Sequence, residues 1–423
     1  MKKRHSLSLT LTLIAGLSGG ASAVTNLRMV EVLTSPERTK LMQDLLQQFE
    51  KANPDIKVEL ISLPWSESYQ KLLTMVQGNQ APDVAEISDN WLGLYSAMNA
   101  LENLEPYLKQ WSGTAQLTPT TLQAARSIDK TAYYIPHGFF LRALFYNKKL
   151  FAEAGLKGPP KTLAEFVKAA DQITKSGPNR YGFCLRGGRG SFDTVYMMMA
   201  AQMNSGAWFD KTGRSTFDSP QAVQGITLLR DLYKNGFAPK ASVNWGFNEI
   251  VSGFATQQCG MLDQDPDALV GIQDQLGAGN FAVAPMPVGP GGRAFPKYGT
   301  AGWTMFSASK NKAAAWKLTS FMLSKQNGMQ LTKFMGIIPV FKGADKDPFY
   351  NKPVFKGWFQ ELNNPKYQYT LFPYYLPQLS DFFSTVATES FQQVLLGQKS
   401  PEDVAGQWAT YMTNAQQQYL KKK

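Results

Sequence analysis

Histidine and cysteine are scarce in this chain, which has two of each among 423 residues. His5 lies in an N-terminal segment that we expect to be removed, which leaves His137 as the single histidine of the mature protein. Zinc sites are built from several histidine or cysteine ligands. We therefore predict no metal site and no cofactor. For His137 a structural role is the simplest interpretation, and a ligand contact or a pH-sensitive hinge is the alternative.

Acidic side chains do not supply a convincing metal site either. The run from Asp263 to Asp267 alternates carboxylates as a calcium-binding loop does. An EF-hand loop needs glycine at its sixth position for a sharp turn, and Ala268 stands there. We interpret the run as a loop after a strand and keep Asp263 as a candidate ligand contact.

The two cysteines, Cys184 and Cys259, are far apart in the chain and form no C-x-x-C motif. In an exported protein an even number of cysteines permits a disulfide. We expect one Cys184–Cys259 bond. Two buried thiols that pack as small apolar groups are the alternative.

Long hydrophobic runs are lacking, and the longest one near the N-terminus is short. Basic residues at positions 2–4 precede an apolar stretch from Leu7 to Leu17 and the small residues Ala21-Ser22-Ala23, a pattern typical of a cleaved signal peptide. The stretch is shorter than the ~20 residues that a membrane-spanning helix needs. No cysteine near the cleavage site offers a lipid anchor. We predict that residues 1–23 are removed and that a soluble protein reaches the periplasm.

The charge pattern does not indicate a nucleic-acid-binding protein. The formal net charge is +11, or +8 without the signal segment, but the basic residues are scattered and form no stripe with aromatic side chains.

Enzyme motifs are also missing from the mature chain. It has no nucleophile elbow, and the GPGG run at 289–292 lacks the Lys-Ser/Thr of a P-loop. A glycosidase needs two carboxylates at a set separation, and Glu31 is the single candidate for one of them.

The order of apolar patterns predicts an α/β protein. About 400 mature residues exceed what one core usually serves, so we expect two lobes. An apolar strand at 27–33 is followed by a helix that Ser35-Pro36 opens, and alternation from Ile56 to Leu60 predicts the next strand. Strands that alternate with helices favour a parallel, doubly wound sheet, with ligands beyond the carboxyl ends of its strands.

The segment at 146–166, YNKKLFAEAGLKGPPKTLAEF, is the most informative in the chain. It predicts a short helix that ends at Gly155, a proline spacer, and a helix opened by a capping box. In that box Thr162 is the N-cap and the Glu165 side chain accepts the N–H of the cap residue. The segment resembles a signature of extracellular solute-binding proteins of ABC importers, chiefly the sugar-binding, maltose-binding-protein-like type. Five further runs resemble that family in the same order: FEKANPDIKVEL, APDV, DSPQAVQGITLLRDLYKNG, CGM and SASKNKAAAWKLTSFML.

The resemblance implies two doubly wound α/β lobes joined by a hinge, the periplasmic-binding-protein fold, with a ligand cleft between the lobes. It places lobe 1 at residues 24–138 plus 287–340. Lobe 2 would comprise residues 139–286 plus 341–423, including the C-terminal helices. The acidic residue that the family commonly has in the first crossover is replaced here by Phe139, Phe140 and Leu141.

Sugar recognition needs aromatic faces for stacking and fixed polar groups for hydroxyls. Several tryptophans of this chain stand in loops beside polar or glycine residues, although a core position is the alternative for each. The resemblance favours Asp89 as the first polar contact, together with the loop after the first strand, the glycine-tryptophan pair at 302–303, and Arg186. The predicted ligand site comprises Thr34, Arg38, Trp65, Asp89, Asn90, Trp91, His137, Arg186, Trp208, Trp245, Asp263, Gly302 and Trp303.

These observations predict a monomeric, non-catalytic protein that binds a mono- or oligosaccharide or a polyol and delivers it to the permease subunits of an ABC importer. Arg186 and Arg189 keep a second ligand class open, namely glycerol 3-phosphate or another sugar phosphate. An exported enzyme that acts on glycosides is the less favoured alternative from another class.

Overall fold

The computed structural model describes residues 24–369 and 371–422, so the predicted signal peptide lies outside the described residues. In the described part, the strands form one sheet of six and one of four. The strands are β1 Thr25–Glu31, β2 Ile56–Ser62, β3 Val84–Ser88, β4 Ile135–Leu141, β5 Ala143–Asn147, β6 Tyr181–Phe183, β7 Cys259–Gln264, β8 Phe281–Ala284, β9 Tyr298–Met305 and β10 Ile338–Pro339.

Three of the longer helices begin at a serine that is followed by proline, as predicted for Ser35. The hydroxyl groups of Ser35, Ser219 and Ser400 each accept a backbone N–H from the first turn, and each of these residues is followed by proline. The helices are α1 Pro36–Ala52, α2 Trp65–Gln77, α3 Leu92–Ala97, α4 Glu105–Gln110, α5 Pro119–Ala125, α6 Lys148–Glu153, α7 Leu163–Lys175, α8 Ser191–Met203, α9 Pro220–Lys234, α10 Phe247–Ala255, α11 Leu269–Leu276, α12 Lys312–Met322, α13 Lys325–Met335, α14 Lys356–Leu362, α15 Leu379–Asp381, α16 Ala387–Leu395 and α17 Pro401–Lys421.

The capping box at the start of α7 is only half as predicted. The Thr162 hydroxyl accepts the N–H of Glu165 at 3.2 Å, as expected of an N-cap. The carboxylate of Glu165, however, accepts the N–H of Lys161 at 2.6 Å rather than that of Thr162. The difference accompanies a parallel bridge between Thr162 and Val288, which engages the backbone at the cap.

The six-stranded sheet is mixed rather than wholly parallel. Its order is β10-β4-β9-β3-β1-β2, and β1 is parallel to both β2 and β3. Strand β9 runs antiparallel to β3 and β4, and β10 is antiparallel to β4. The predicted parallel pairing is therefore confirmed for the N-terminal strands, which helices connect. It is wrong for β9 and β10, because the chain reaches β9 from the other sheet.

The four-stranded sheet has the order β6-β7-β5-β8, with β6 parallel to β7 and with β5 antiparallel to both of its neighbours. Arg142 is the one residue between β4 in the first sheet and β5 in the second. The chain returns from the second sheet to the first between β8 and β9. Near the first crossover, β4 has a register shift at His137, between Pro136 and Gly138. Each sheet belongs to one lobe, so the fold is the predicted two-lobe α/β arrangement.

A disulfide links two strands of the second sheet. Cys184 follows β6 and Cys259 begins β7, and their Cα atoms are 5.4 Å apart across the bond. The two strands are parallel neighbours, which brings residues that are 75 positions apart in sequence close enough to bond. Among the described residues no other cysteine occurs.

The C-terminal region contacts both lobes. Helix α14 packs against β8, and α16 and α17 pack against α8 and α9, whereas α15 contacts α3 of the first lobe. The Trp358 Nε1–H donates to the carbonyl of Leu141 at the end of β4. Residues 139–141 belong to the first sheet as part of β4, and the exact division of the chain into lobes stays a prediction. In the described ranges, no helix has the length and apolar character needed to cross a bilayer.

Candidate functional site

Strand ends of both lobes converge on the two crossover residues Arg142 and Lys297. Because β1, β2 and β3 are parallel, the loops that follow them lie on one edge of the first sheet. Thr34, Trp65 and Asp89 follow these three strands in turn. The N–H of Arg142 donates to the carbonyl of Lys297 at 3.1 Å, which ties the two crossovers together at the same edge. A ligand at this edge would contact loops of both lobes.

A pair of stacked tryptophans lies on the first-lobe side of this boundary, and Trp91, the inner one, is fully buried. Trp65 opens α2 and is half-buried, and its ring stacks on Trp91 with 5.4 Å between centroids and 19° between planes. Tyr69, one turn along α2, packs on the same Trp91 ring. From the second lobe, the guanidinium carbon of Arg189 lies 5.8 Å from the Trp65 ring centroid. The Trp65 ring is therefore within reach of both lobes.

The Asp89 carboxylate is buried and is bound to the first residues of β9. Its Oδ2 accepts the backbone N–H of Thr300 at 2.6 Å and the Thr300 hydroxyl at 3.1 Å. Burial raises the pKa of Asp89 above its ordinary value, although the charge of Lys297 and hydrogen bonds from Thr300 and Tyr374 oppose this. The predicted polar contact is thus at the cleft edge, with its carboxylate already used by β9.

Asn90 offers an unused hydrogen-bond acceptor beside Asp89. Its backbone carbonyl accepts the hydroxyl of Ser380 at 2.6 Å, from the C-terminal segment. Its side-chain Oδ1 is buried and has no hydrogen-bond partner among the described residues. A buried acceptor without a partner costs about 1–3 kcal/mol. A hydroxyl donor from a ligand would remove this cost.

The loop at 186–190 faces these groups from the second lobe. The Arg186 Nε–H donates to the carbonyl of Arg189 at 2.7 Å, and its guanidinium lies against Gly190, where a Cβ would come within 2.5 Å. Gly190 has φ +87°, a conformation that glycine tolerates best. The N–H of Gly188 donates to the carbonyl of Trp245 at 2.9 Å. Arg186 and Trp245 therefore shape this loop.

Arg142 is the centre of a buried cluster of charges at the crossover. Its guanidinium contacts Asp193 on α8 at 3.1 Å, Asp263 on β7 at 3.2 Å and Asp265 at 3.4 Å. Burial raises the pKa of Asp263 to about 6 even though Arg142 lowers it. Burial would lower the pKa of Arg142, but the three carboxylates raise it above its ordinary value. The guanidinium therefore stays charged at any ordinary pH.

A second buried network lies inside the first lobe, below the cleft. Arg38 pairs with Glu31 at 2.8 Å and with Glu86 at 2.7 Å, and Nε2 of His137 is 2.7 Å from Glu86. Each of these side chains is at least 97% buried. The backbone N–H groups of Val32 and Leu33 donate to Glu86. These two bonds anchor the loop that carries Thr34. Arg38 and His137 therefore support the cleft edge from inside.

Three of the predicted contacts lie in the core and are not carried into the proposed site. Trp303 is fully buried beside His137, with 5.6 Å between ring centroids. Gly302 lies within β9, where an added Cβ would come within 2.4 Å of the Ile135 carbonyl oxygen. Trp208 is buried in an aromatic cluster, 4.8 Å from the Phe217 ring centroid. Packing within a lobe occupies both tryptophan rings and leaves no room beside Gly302.

Sequence reasoning missed Arg142, Asp193 and Lys297. Arg142 is a charged residue between two apolar strands, which is a signal that could have identified it. Asp193 is a lone carboxylate in the otherwise uncharged first turns of α8, and Lys297 follows a proline just before β9. Among the residues that the structure describes, no cluster of three or more His, Cys, Asp or Glu side chains is arranged to hold a metal ion.

The fold agrees with that of known proteins that are similar to this chain. The chain belongs to the bacterial extracellular solute-binding protein family, which matches residues 34–329, and the predicted family is thereby confirmed. Proteins of this family bind solutes and are not enzymes. A mannitol-binding protein of Pseudomonas aeruginosa is 26% identical over 320 residues, which are 72% of this chain and 70% of that protein.

Two further proteins extend this agreement. A protein of Brucella abortus that is named as a binding protein is 28% identical over 347 residues, 80% of this chain and 82% of its own length. A solute-binding protein of an ABC transporter from Thermotoga lettingae, solved with α-D-tagatose, matches with a TM-score of 0.83. The match covers 93% of this chain and all of that one at 24% identity, and it supports the fold.

Proposed function

We propose that this protein binds an uncharged sugar or polyol between its two lobes, in the periplasm, and delivers it to the permease subunits of an ABC importer. The observation that carries the proposal is the stacked Trp65–Trp91 pair at the lobe boundary, with Arg189 above Trp65 and with the unpartnered Oδ1 of Asn90, the residue before Trp91. An aromatic face and a fixed hydrogen-bond acceptor suit a sugar ring or a polyol chain, whose C–H groups pack on the aromatic face and whose O–H groups donate to the acceptor.

The charge balance at the cleft favours an uncharged ligand over a sugar phosphate. Arg142 and Lys297 already contact carboxylates, and Arg186 is buried against its own loop. Burial and the charge of Arg142 lower the pKa of Arg186 to about 10. A phosphate would have to break these pairs, which is costly for buried charges. The acidic groups at the cleft are Asp89, Asp193, Asp263 and Asp265, and the basic ones are Arg142, Arg186, Arg189 and Lys297.

The similar proteins support the same ligand class. The Pseudomonas aeruginosa relative is named for a polyol, mannitol, and the Thermotoga lettingae structure holds a monosaccharide, tagatose. Both ligands are uncharged and carry many hydroxyl groups. A thermal-shift experiment with D-mannitol, D-tagatose, maltose and glycerol 3-phosphate tests the proposal. A ligand at 100 times its Kd stabilises the folded protein by about 2.7 kcal/mol, so binding is readily detected.

We expect at least one of the three neutral probes to raise the melting temperature and glycerol 3-phosphate not to do so. Trp65→Ala should weaken binding of that probe at least tenfold, because the stacking face is removed. Trp316→Ala is the matched control, since Trp316 also packs on aromatic rings, Tyr107 and Trp111, but on α12. A shift with glycerol 3-phosphate alone, or none with any probe, would contradict the proposal.

A further inference from the structure

Asp193 stands where ligand, hinge and second lobe would meet. It is the third residue of α8, directly after the 186–190 loop that faces the Trp65 surface. Its Oδ2 lies 3.1 Å from Nη2 of Arg142 and 3.5 Å from Nζ of Lys297. These two cations come from the two different crossovers between the lobes. One carboxylate oxygen is therefore shared by both hinge segments.

The other oxygen of the same carboxylate is unused. Oδ1 of Asp193 is buried and accepts no hydrogen bond from any described residue, and the whole residue is only 8% exposed. A buried carboxylate oxygen of this kind carries a large desolvation cost unless a donor reaches it. Among the groups nearby, Arg142 and Lys297 already point to Oδ2. Since no described residue donates to Oδ1, this oxygen is open to a donor from a ligand.

The charges around Asp193 keep it ionised. Burial alone would raise its pKa, but Lys297, Arg142 and Arg186 hold the pKa of Asp193 below its ordinary value. An ionised carboxylate accepts hydrogen bonds and donates none. A group that binds Oδ1 must therefore be a donor, such as a hydroxyl. A phosphate or carboxylate at this point would be repelled.

We propose that Asp193 binds the ligand directly by accepting a hydroxyl hydrogen bond at Oδ1, and that Arg142 and Lys297 are positioning residues that hold Oδ2. The inference rests on the proposed function and adds a named acceptor to it. It also explains how a ligand would be sensed at the hinge, because the carboxylate that meets the ligand is bound to both crossovers.

Isothermal titration calorimetry on the full mature chain tests the inference with D-mannitol, D-tagatose and maltose as probes. For each probe that binds the wild type, Asp193→Asn should weaken binding about 10- to 100-fold, the usual range for a hydrogen bond to a charged group. Lys297→Met should weaken the same probe, and Lys297→Arg should restore binding to within about threefold. Glu105→Gln is the matched control, because Glu105 pairs with Arg126 away from the cleft.

Melting temperatures without ligand separate a binding effect from a folding defect. If Lys297 only supported the fold, Lys297→Met would lower the melting temperature. We expect an unchanged melting temperature in this variant, together with weaker binding that Lys297→Arg restores. Wild-type affinity in Asp193→Asn, with loss of binding in Trp65→Ala, would overturn the inference and leave the proposed function intact. Wild-type affinity in Lys297→Met would overturn the positioning role. A wild type that binds none of the probes would instead contradict the proposed function.

Discussion

Replacement of Glu86 by glutamine should destabilise the protein by about 3 kcal/mol at neutral pH, because Arg38 loses one of its two buried carboxylate partners and keeps only Glu31. Glu86 is fully buried on β3 and contacts Arg38 at 2.7 Å and His137 at 2.7 Å. It also accepts two backbone N–H groups from the loop after β1. Glutamine can keep the backbone contacts, but its neutral amide loses the ionic attraction between Glu86 and the Arg38 guanidinium.

The pH dependence gives an independent value for the same interaction. Burial would raise the pKa of Glu86, but Arg38 and His137 lower it to about 2. The ordinary pKa of glutamate is about 4.3, so the difference corresponds to about 3 kcal/mol. Because the folded-state pKa is the lower one, this stability is present above the unfolded pKa. It is lost as the pH falls from about 5 through 2.

Guanidinium unfolding of the wild type and Glu86→Gln, followed by tryptophan fluorescence at several pH values between 7 and 3, measures both effects. The difference in unfolding free energy should be largest at pH 7 and should shrink as wild-type Glu86 takes up a proton. Glu105→Gln is the control, because its pair with Arg126 is about one-third exposed and should cost less than about 1 kcal/mol. A difference that is below 1 kcal/mol at pH 7, or that does not change with pH, would refute the reasoning.

Two further predictions concern the disulfide and the buried tryptophan of β9. The Cys184→Ala/Cys259→Ala double variant should lose about 4 kcal/mol in denaturant unfolding, because the bond closes a loop across 75 positions; a loss below 1 kcal/mol would show that the bond does not constrain the unfolded chain. Trp303→Phe should lower stability by about 1–2 kcal/mol and leave the affinity for D-mannitol, D-tagatose and maltose unchanged within about twofold. Weaker sugar binding by this variant at full stability would show that the ring reaches the ligand.

Local features were predictable because neighbouring residues determine them. Ser35 and Thr162 cap helices as expected, since a cap needs only its own first turn. Gly155 ends its helix with φ +70°, again as expected. The predicted Glu165 contact was wrong, because the carboxylate accepts the N–H of Lys161, one residue before the cap, and the pattern of the capping box does not distinguish these two N–H groups.

The position of each tryptophan was not predictable in the same way. Trp65 and Trp303 both stand near polar residues or glycine at a break in a predicted element. In the structure, Trp65 is half-buried at the lobe boundary, whereas Trp303 is fully buried beside His137. Sequence context is similar for the two, and the difference arises from which strands lie next to them. Pairing of β9 with β3 and β4 is a long-range event.

The sequence by itself determined the family, the two-lobe α/β class and the local caps, because these depend on motif order and on short-range periodicity. It also brought the loops after β1, β2 and β3 to one edge, since parallel strands must end on the same side. The tertiary structure alone decided which side chains meet there. Asp193, Arg142 and Lys297 come from a helix and two crossovers far apart in the chain. Only the folding of both lobes onto one hinge places the Arg142 and Lys297 cations within 3.5 Å of the Asp193 carboxylate.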